Sequence, residues 1–444
     1  MSSFTHNSLQ DFNPIEYINH PRWKASRLGL SRIRKLLERL GRPQDRLRFV
    51  HVAGTNGKGS VCAYISAILQ QAGYKVGTFT SPYIEKFEER IRVCGKNISY
   101  SALKAVTLQV KECASALELE IGEHPTEFEL MTAVALMHFA NERCEVVVLE
   151  VGLGGRLDST NIIDAPDVCA IARIGLDHTA ILGHTLAKIA GEKAAIIKPG
   201  CSACVTYPQE NEAQHVIQQA ANEVGVKLAT CNFEQLEIGA VKGGFRNFTY
   251  KGQVFKTQLL ATCQPKNAAV AIDVAYKLRE CSYNISDVAI ASGVETAMWP
   301  GRFEVLETKP NMPLVVLDGA HNVQATKELA SSLVNVFGMR KFVFICGVMA
   351  DKNYKAMLDE IANLSAALIC VTPNNPRALS AGKLAQCARF ACKKNVDVFT
   401  AKTFELAAEM AVRAAGLNGI ICAFGSLYML ADIKRAFRKT YLHS

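Results

Sequence analysis

The residues best suited to chemistry in this chain stand where apolar runs end. Residues 51 to 60 read HVAGTNGKGS, with a β-like run, LRFVHVAG, leading in and a helical run, SVCAYISAILQQAG, leading out. Strand, glycine-rich turn and helix is the arrangement in which backbone N–H groups and a helix N-terminus cradle phosphate while a lysine reaches the terminal phosphates. Gly54, Gly57 and Gly59 would allow the close approach and Lys58 would supply the charge. The spacing departs from G-x-x-x-x-G-K-[ST], because Val52 occupies the first glycine's place and Gly59 intervenes before the Ser60 hydroxyl. Spacing alone leaves two readings, a nucleotide loop and a plain glycine turn between strand and helix.

Three further apolar runs end on polar residues. CEVVVLE ends at Glu150 and runs on into VGLGGRLDSTN, VCAIARI leads to GLDHTAILG with His178, and KVGTFT leads to TSPY with Ser81. In an open parallel sheet, ligands bind outside the carboxyl ends of the strands, which is where Glu150, Asp158 and Asn161 fall. A carboxylate, an imidazole and a hydroxyl from neighbouring strand ends suit a magnesium site beside a triphosphate, although a lone histidine is as readily structural. GLGGRL is a loose dinucleotide fingerprint with no helix opening on it.

The helical run TLAKIAGEKAAIIK holds an anomaly. Leu186, Ile189, Ala190, Lys193 and Ile197 share one face, so Lys193 lies in the apolar stripe while Lys188, Glu192 and Lys198 take the solvent side. A lysine there must be paired, chemically altered, or long enough to reach water. In PTEFELMTAVALMHFA, Thr126 and Glu129 form a T-x-x-E capping box before an apolar helix, and the residues alone read as structural.

The elements that must position these residues follow from the wider pattern. With 444 residues and 49% hydrophobic content, the chain is long enough for two cores. From residue 48 short β-branched runs (48–53, 75–80, 145–150, 168–174) alternate with amphipathic ones, the signature of a parallel sheet covered by helices. Residues 231 to 258 read as antiparallel hairpin material, and a helix over 266–281 follows. A second alternation then begins, with strands near 314–317, 342–346, 367–371, 396–399 and 419–423. The expected architecture is α/β with two domains: 1–297, a parallel-sheet nucleotide-binding domain, and 298–444, a smaller Rossmann-like α/β domain.

Composition narrows the function classes. No run of about eighteen apolar residues and no charged-then-apolar leader occurs, so a soluble, cytoplasmic protein without a membrane role is expected. Fifteen cysteines in such a chain read as reduced thiols packed as small hydrophobes, and the single close pair, Cys201 and Cys204, lacks the partners of a structural zinc site. The net charge of +9 includes a basic run from Arg22 to Arg48 above Ile33, Leu36, Leu37 and Leu40, which reads as a solvated helix face. Trp23 is the single aromatic residue within it, too few for a base-stacking surface, so nucleic acid is not an expected partner, and small anions suit the field.

GTNGKGS, TSPYIEKFEERI, LEVGLGGRLDSTNI, LDHTAILG, GEKAAIIKPG, PGRFE, DGAHN and GSLYML occur in this order. Together they resemble folylpolyglutamate synthase and the bifunctional bacterial dihydrofolate synthase, relatives of the Mur ligases, over about residues 25 to 435. The resemblance implies a two-domain Mur-ligase-like fold and an ATP-dependent amide ligase, acting as a monomer. Its substrates would be ATP, L-glutamate and dihydropteroate or a reduced folate, joined through an acyl phosphate with release of ADP and phosphate.

It also implies roles for residues. Thr55, Asn56, Gly57, Lys58, Gly59 and Ser60 would hold the ATP phosphates. Ser81, Glu150 and His178 would bind magnesium, and Lys193, as a carbamate, a second magnesium, with potassium as a further cation; Lys58, Glu150, His178 and Lys193 would carry the catalysis. Asn267, Arg302, Asp318 and His321 match nucleotide-contacting positions, with Asn322 adjacent. Thr126, Glu127, Phe128 and Glu129, with Arg156 and Leu157, match substrate-contacting ones. Tyr83 replaces a histidine common in the family, and QPKN departs from the usual run before Asn267, which leaves pterin specificity open. Against the ligase stand a phosphate-loop kinase or switch, which predicts no role for Lys193, and a nicotinamide-dependent dehydrogenase, which needs a dinucleotide turn that no segment supplies.

Overall fold

The computed structural model describes residues 12–20, 29–392 and 396–441. Asp11 and the start of the basic run, residues 22–28, lie outside the described residues. The chain forms two compact units, Met1–Phe233 with Asn267–Val294, and Glu234–Lys266 with Glu295–Ser444.

The first unit contains α1 (Pro14–Ile18), α2 (Ser31–Arg39), β1 (Phe49–Ala53), α3 (Lys58–Gln71), β2 (Val76–Phe79), β3 (Ile91–Val93), β4 (Lys96–Asn97), α4 (Tyr100–Ile121), α5 (Glu127–Asn141) and β5 (Val146–Glu150). It continues through β6 (Val168–Ile171), α6 (Thr179–Leu182), α7 (Leu186–Ala194), β7 (Ala203–Thr206), α8 (Asn211–Glu223) and β8 (Lys227–Thr230). Its eight strands lie in the order β4-β3-β2-β5-β1-β6-β7-β8. From β2 to β8 the neighbours run parallel, with Val52 beside both Glu150 and Ala170, while β3 and β4 form an antiparallel edge. The central strands β1, β5 and β6 are wholly buried, as strands covered on both faces must be. One core joins α2, α4 and α5 through residues such as Leu36, Leu103 and Leu130, and the other joins α7 and α8 through Ile189 and Ile217.

In the second unit β9 (Leu236–Lys242), β10 (Phe245–Tyr250) and β11 (Gln253–Thr257) form an antiparallel sheet. Two helices that follow in sequence, α9 (Gln264–Glu280) and α10 (Asp287–Thr296), belong for most of their length to the first unit, within Asn267–Val294. The larger sheet is built from β12 (Glu304–Leu306), β13 (Leu314–Leu317), α11 (Val323–Phe337), β14 (Phe342–Cys346), α12 (Tyr354–Ala362), β15 (Ser365–Cys370), α13 (Ala381–Ala391), β16 (Asp397–Thr400), α14 (Phe404–Ala415), β17 (Ile420–Phe424) and α15 (Leu430–Thr440). Its order is β12-β13-β17-β14-β15-β16, parallel except for the edge strand β12. Among the described residues no helix is long and apolar enough to cross a membrane.

Three local expectations change. Strands β3, β4, β7, β8 and β12 are absent from the sequence reading: β3, β4 and β12 have only two or three residues, and β8 lacks a buried face. The helix carrying Lys193 ends at Ala194, so Lys198 does not stand on its solvent side; its ammonium donates to the carbonyls of Asn161 and Ile163. Within the basic run, Arg32 lies on the buried face of α2 with Ile33, Leu36 and Leu37 instead of on the solvated one.

Candidate active site

Helix α3 starts on Gly57, whose φ of 90° places it in the left-handed region open to glycine, and it starts without a side-chain cap. The cap residue therefore offers no side chain to the first N–H groups of the helix, which suits the receipt of an anion there. The turn before it is anchored from the end of β6: the N–H groups of Thr55 and Asn56 donate to the Arg173 carbonyl at 2.9 and 3.1 Å. Lys58 folds back to donate to the carbonyls of Gly54 and Thr55. A Cβ on Gly57 would stand 2.6 Å from Asn267 Oδ1, and one on Gly54 would stand 2.8 Å from Ala172 Cβ. Both glycines are required by close approach, and Asn267 lies directly against the loop.

The strand order explains which side chains flank this loop. β2, β5, β1 and β6 are consecutive neighbours, so their carboxyl ends present Ser81, Glu150, the glycine turn and the segment leading to His178 side by side. Ser81 N–H donates to Glu150 Oε2 at 3.0 Å, and Glu150 is only 3% exposed. His178 occupies the N-cap position of α6 in the left-handed region, φ 49°, a conformation uncommon outside glycine. Among the described residues no group of three or more His, Cys, Asp or Glu could by itself hold a metal. A hydroxyl, a carboxylate and an imidazole nevertheless fit magnesium, which is commonly held by one or two protein groups completed by phosphate oxygens and water.

Lys193 is 4% exposed on α7, so the alternative of a stem reaching water does not hold. Burial, with the nearby Lys58 charge next, pushes its pKa from 10.5 down to about 7, against the opposing pull of Asp158 and Asp177. The amine is thus held close to its neutral, nucleophilic form. The loop after β5 is pressed onto this helix: a Cβ on Gly155 would stand 2.4 Å from the Glu192 carbonyl, and Arg156 N–H donates to that same oxygen. Arg156 also pairs with Glu192 through its side chain, and Leu157 beside it is 40% exposed.

Asp158 is occupied by that loop. It accepts from the N–H groups of Leu153 and Thr160 and from the Thr160 hydroxyl at 2.5 Å, and burial, its strongest influence, raises its pKa. The Thr160 oxygen meets His51 Nε2 at 2.9 Å. His51 is fully buried in β1, and burial, then Lys198, drives its pKa down to about 3, so it is neutral. Asn161 donates to the carbonyls of Arg156 and Ala195, so it too fastens loop to helix. Sequence reasoning assigned no role to His51; a histidine inside the otherwise apolar run FVHVA is the signal.

The capping box at α5 is formed as the sequence demands: Thr126 Oγ1 accepts from Glu129 N–H and Glu129 Oε2 from Thr126 N–H. Glu129 also pairs with Arg32 at 3.2 Å, which resolves why that arginine is buried, and its Oε1 has no hydrogen-bond partner. Phe128 lies on the loop after β5, since a Cβ on Gly152 would stand 2.5 Å from its ring. The first turn of α5, including Glu127, is thus joined to the same strand end as Glu150.

The second unit holds its own cluster at the carboxyl ends of β13 and β17. Asp318 accepts from the N–H groups of Phe303 and Ala320, both at 2.8 Å, and burial, against the pull of Arg302, raises its pKa. Arg302 lies over Gly319, where a Cβ would stand 2.8 Å from its NH1 and 2.4 Å from Leu427. His321 Nδ1 meets the Gly319 carbonyl, and Asn322 caps α11 by accepting from Ala325 N–H. PGRFE, DGAHN and GSLYML therefore converge on one strand-end site within this unit.

Two family models match the chain. Residues 52–275 match the Mur ligase middle domain and residues 301–427 the Mur ligase glutamate ligase domain. The chain is 37% identical over 424 residues to the dihydrofolate synthase/folylpolyglutamate synthase of Bacillus subtilis, covering 92% of this chain and 95% of that protein. It is 33% identical to the Escherichia coli protein of the same name, with 83% of each chain covered. Among solved structures, Mycobacterium tuberculosis folylpolyglutamate synthase complexed with ADP and AMPPCP superposes with a TM-score of 0.84 at 28% identity, over 93% of this chain and 95% of that one. E. coli FolC in complex with DHPP and ADP gives 0.81 at 28% identity, over 96% and 97%.

Proposed function

Because the chain belongs to the Mur ligase family, in the branch of the folylpolyglutamate and dihydrofolate synthases, we propose that its strand-end site joins glutamate to a pterin-bearing carboxylate. It is an ATP-dependent ligase of folate metabolism. The kinase or switch alternative is not favoured, since neither accounts for a glutamate ligase domain over residues 301–427. The dehydrogenase reading lapses for the same reason.

The observation that carries the site assignment is the adjacency of four strand ends, with Glu150 bonded to Ser81 on one side of the glycine turn and His178 beyond the other. In this reading Thr55 to Ser60 hold the ATP phosphates, Lys58 neutralises the charge that moves in phosphoryl transfer, and Asn267 supports the turn. Ser81, Glu150 and His178 would hold magnesium, which when bound neutralises phosphate charge and orients the transfer. Lys193 would react with carbon dioxide, its amine nitrogen forming the new C–N bond and releasing a proton, to give a carbamate anion able to hold a second cation, magnesium or potassium. Its lowered pKa supports this, because only the neutral amine is nucleophilic.

Acceptor carboxylate would attack the γ-phosphate to form an acyl phosphate with release of ADP. The glutamate amine would then attack that carbonyl, and phosphate would leave. Thr126 to Glu129, Arg156 and Leu157 are assigned to the acceptor, and Arg302, Asp318 and His321 to the nucleotide. The domain division is taken at 297/298, just before the glutamate ligase match begins. The protein is proposed to act as a cytoplasmic monomer on small molecules, without nucleic acid or membrane. The test is incubation with ATP, magnesium and labelled glutamate, offering dihydropteroate or tetrahydrofolate in turn. Glutamate-dependent ADP release with at least one acceptor is expected; its absence with both would overturn the reading.

A further inference from the structure

The glycine turn is not anchored by its own strand alone. Thr55 and Asn56 hang on the Arg173 carbonyl, and the Thr55 hydroxyl both donates to the Gly175 carbonyl and accepts from Gly175 N–H, each at 3.1 Å. Residues 172–175 thus form a strap that fixes the first turn of the loop and runs on toward His178. On its β1 side the strap is secured by Ala172 N–H donating to Ala53. On its other side β6 has already ended at Ile171 and β7 at Thr206, so regular strand pairing with β7 does not extend along it.

Gln209 fills that place. Its Oε1 accepts from Ile174 N–H at 2.9 Å, and its Nε2 donates to the Ala172 carbonyl at 3.0 Å and to Thr206 Oγ1 at 3.4 Å. One side-chain amide therefore takes the donor and the acceptor on either side of Arg173, as a neighbouring strand's peptide would. The amide's orientation is dictated, because only the oxygen can face an N–H and only the nitrogen can face a carbonyl. No aspartate, glutamate or asparagine reproduces it: the acids lack the donor, and asparagine is one methylene short.

We propose that Gln209 is a positioning residue for ATP, clamping the 172–174 strap so that the Arg173 carbonyl holds the phosphate loop in its binding conformation. The proposal rests on the nucleotide role of that loop given above, and adds a residue from the loop after β7, a strand two places from the loop's own, to the determinants of ATP affinity. Its effect is exerted through the loop, so ATP binding should respond while the glutamate KM does not.

The test is titration of ATP with magnesium into the full chain, without glutamate or acceptor, for wild type, Gln209→Ala and Gln209→Glu, with steady-state KM values alongside. The alanine variant is expected to bind ATP on the order of tenfold more weakly, the equivalent of about one net hydrogen bond, with an unchanged glutamate KM. The glutamate variant keeps the size but sets a carboxylate oxygen against the Ala172 carbonyl. It should be at least as defective at pH 8 and recover in part at pH 5, where a protonated carboxyl can again donate. Wild-type ATP affinity in both variants would overturn the proposal, as would equal rises in the ATP and glutamate KM. If alanine fails to fold, the pH dependence of the glutamate variant decides. Wild type that binds ATP but ligates nothing would sink the ligase assignment and leave this test intact; wild type that binds no ATP would sink both.

Discussion

Two loops in this molecule leave a buried parallel strand at its carboxyl end and enter a helix, yet they end differently. After β13, Asn322 closes the start of α11 with its own side chain. After β1, Gly57 opens α3 with no side chain of its own to cap the helix, and Lys58 is folded onto loop carbonyls. A helix that caps itself has used the groups an anion would need; one that begins on a left-handed glycine keeps them for a ligand. The comparison supports the proposal of the first loop as the phosphate cradle and of the second as a scaffold for Arg302, Asp318 and His321.

The largest way to break that contrast is to remove the cradle's charge. Lys58→Ala is expected to lower kcat/KM by on the order of a thousandfold, measured as ADP release, because charge neutralisation dominates phosphoryl transfer. Lys193→Ala should cost about a hundredfold and regain part of it with added short carboxylates such as acetate. A wild-type rate in that variant would remove the carbamate from the mechanism.

The same lysine gives a stability prediction. Below pH 7 it is charged in the folded and unfolded chains alike, and the folded state bears the full burial penalty. Between about 7 and 10.5 the unfolded chain binds the proton and the folded one does not, so stability rises with pH across that window. Lys193→Met should therefore be a few kcal/mol more stable than wild type at pH 7 in carbon-dioxide-free buffer, with the gap closing toward pH 10.5. Calorimetric melts over that range read it, and parallel pH profiles would contradict it.

Smaller effects sharpen the comparison of the loops. Gly57→Ala must push its methyl into Asn267 and adopt a left-handed backbone, and ATP affinity should fall by at least about tenfold. Asn322→Ala should lower stability by about 1 kcal/mol, the worth of a lost helix cap, seen in denaturant melts. An alanine at position 57 that leaves ATP titrations unchanged would erase the distinction between the two helix starts.

What the sequence makes legible follows from where its signals are local. The long central strands announce themselves as β-branched runs, and the polar residues at their ends, Glu150 and Ser81, follow from the rule that parallel sheets bind at carboxyl edges. The T-x-x-E box at α5 is equally local. Strands of two or three residues, such as β3 and β4, carry too little pattern to be read, and a charge looks solvated until its partner is known. Arg32 is such a case, since Glu129 lies 97 positions away in sequence. Lys193 is legible as an anomaly because its helical face can be counted, whereas its lowered pKa comes from burial and then Lys58, which only the fold supplies. The His51–Thr160–Asp158 chain shows in the sequence only as a histidine inside an apolar run, because its partners lie more than a hundred positions away.

The central claim is that the terminal phosphate of ATP passes to a carboxylate before glutamate arrives. Acceptor carrying oxygen-18 in its carboxylate, turned over with ATP and glutamate, should deliver one heavy oxygen into inorganic phosphate, visible as an upfield-shifted phosphorus resonance. Amide product formed with unlabelled phosphate would contradict the acyl phosphate and, with it, the chemistry assigned to this site.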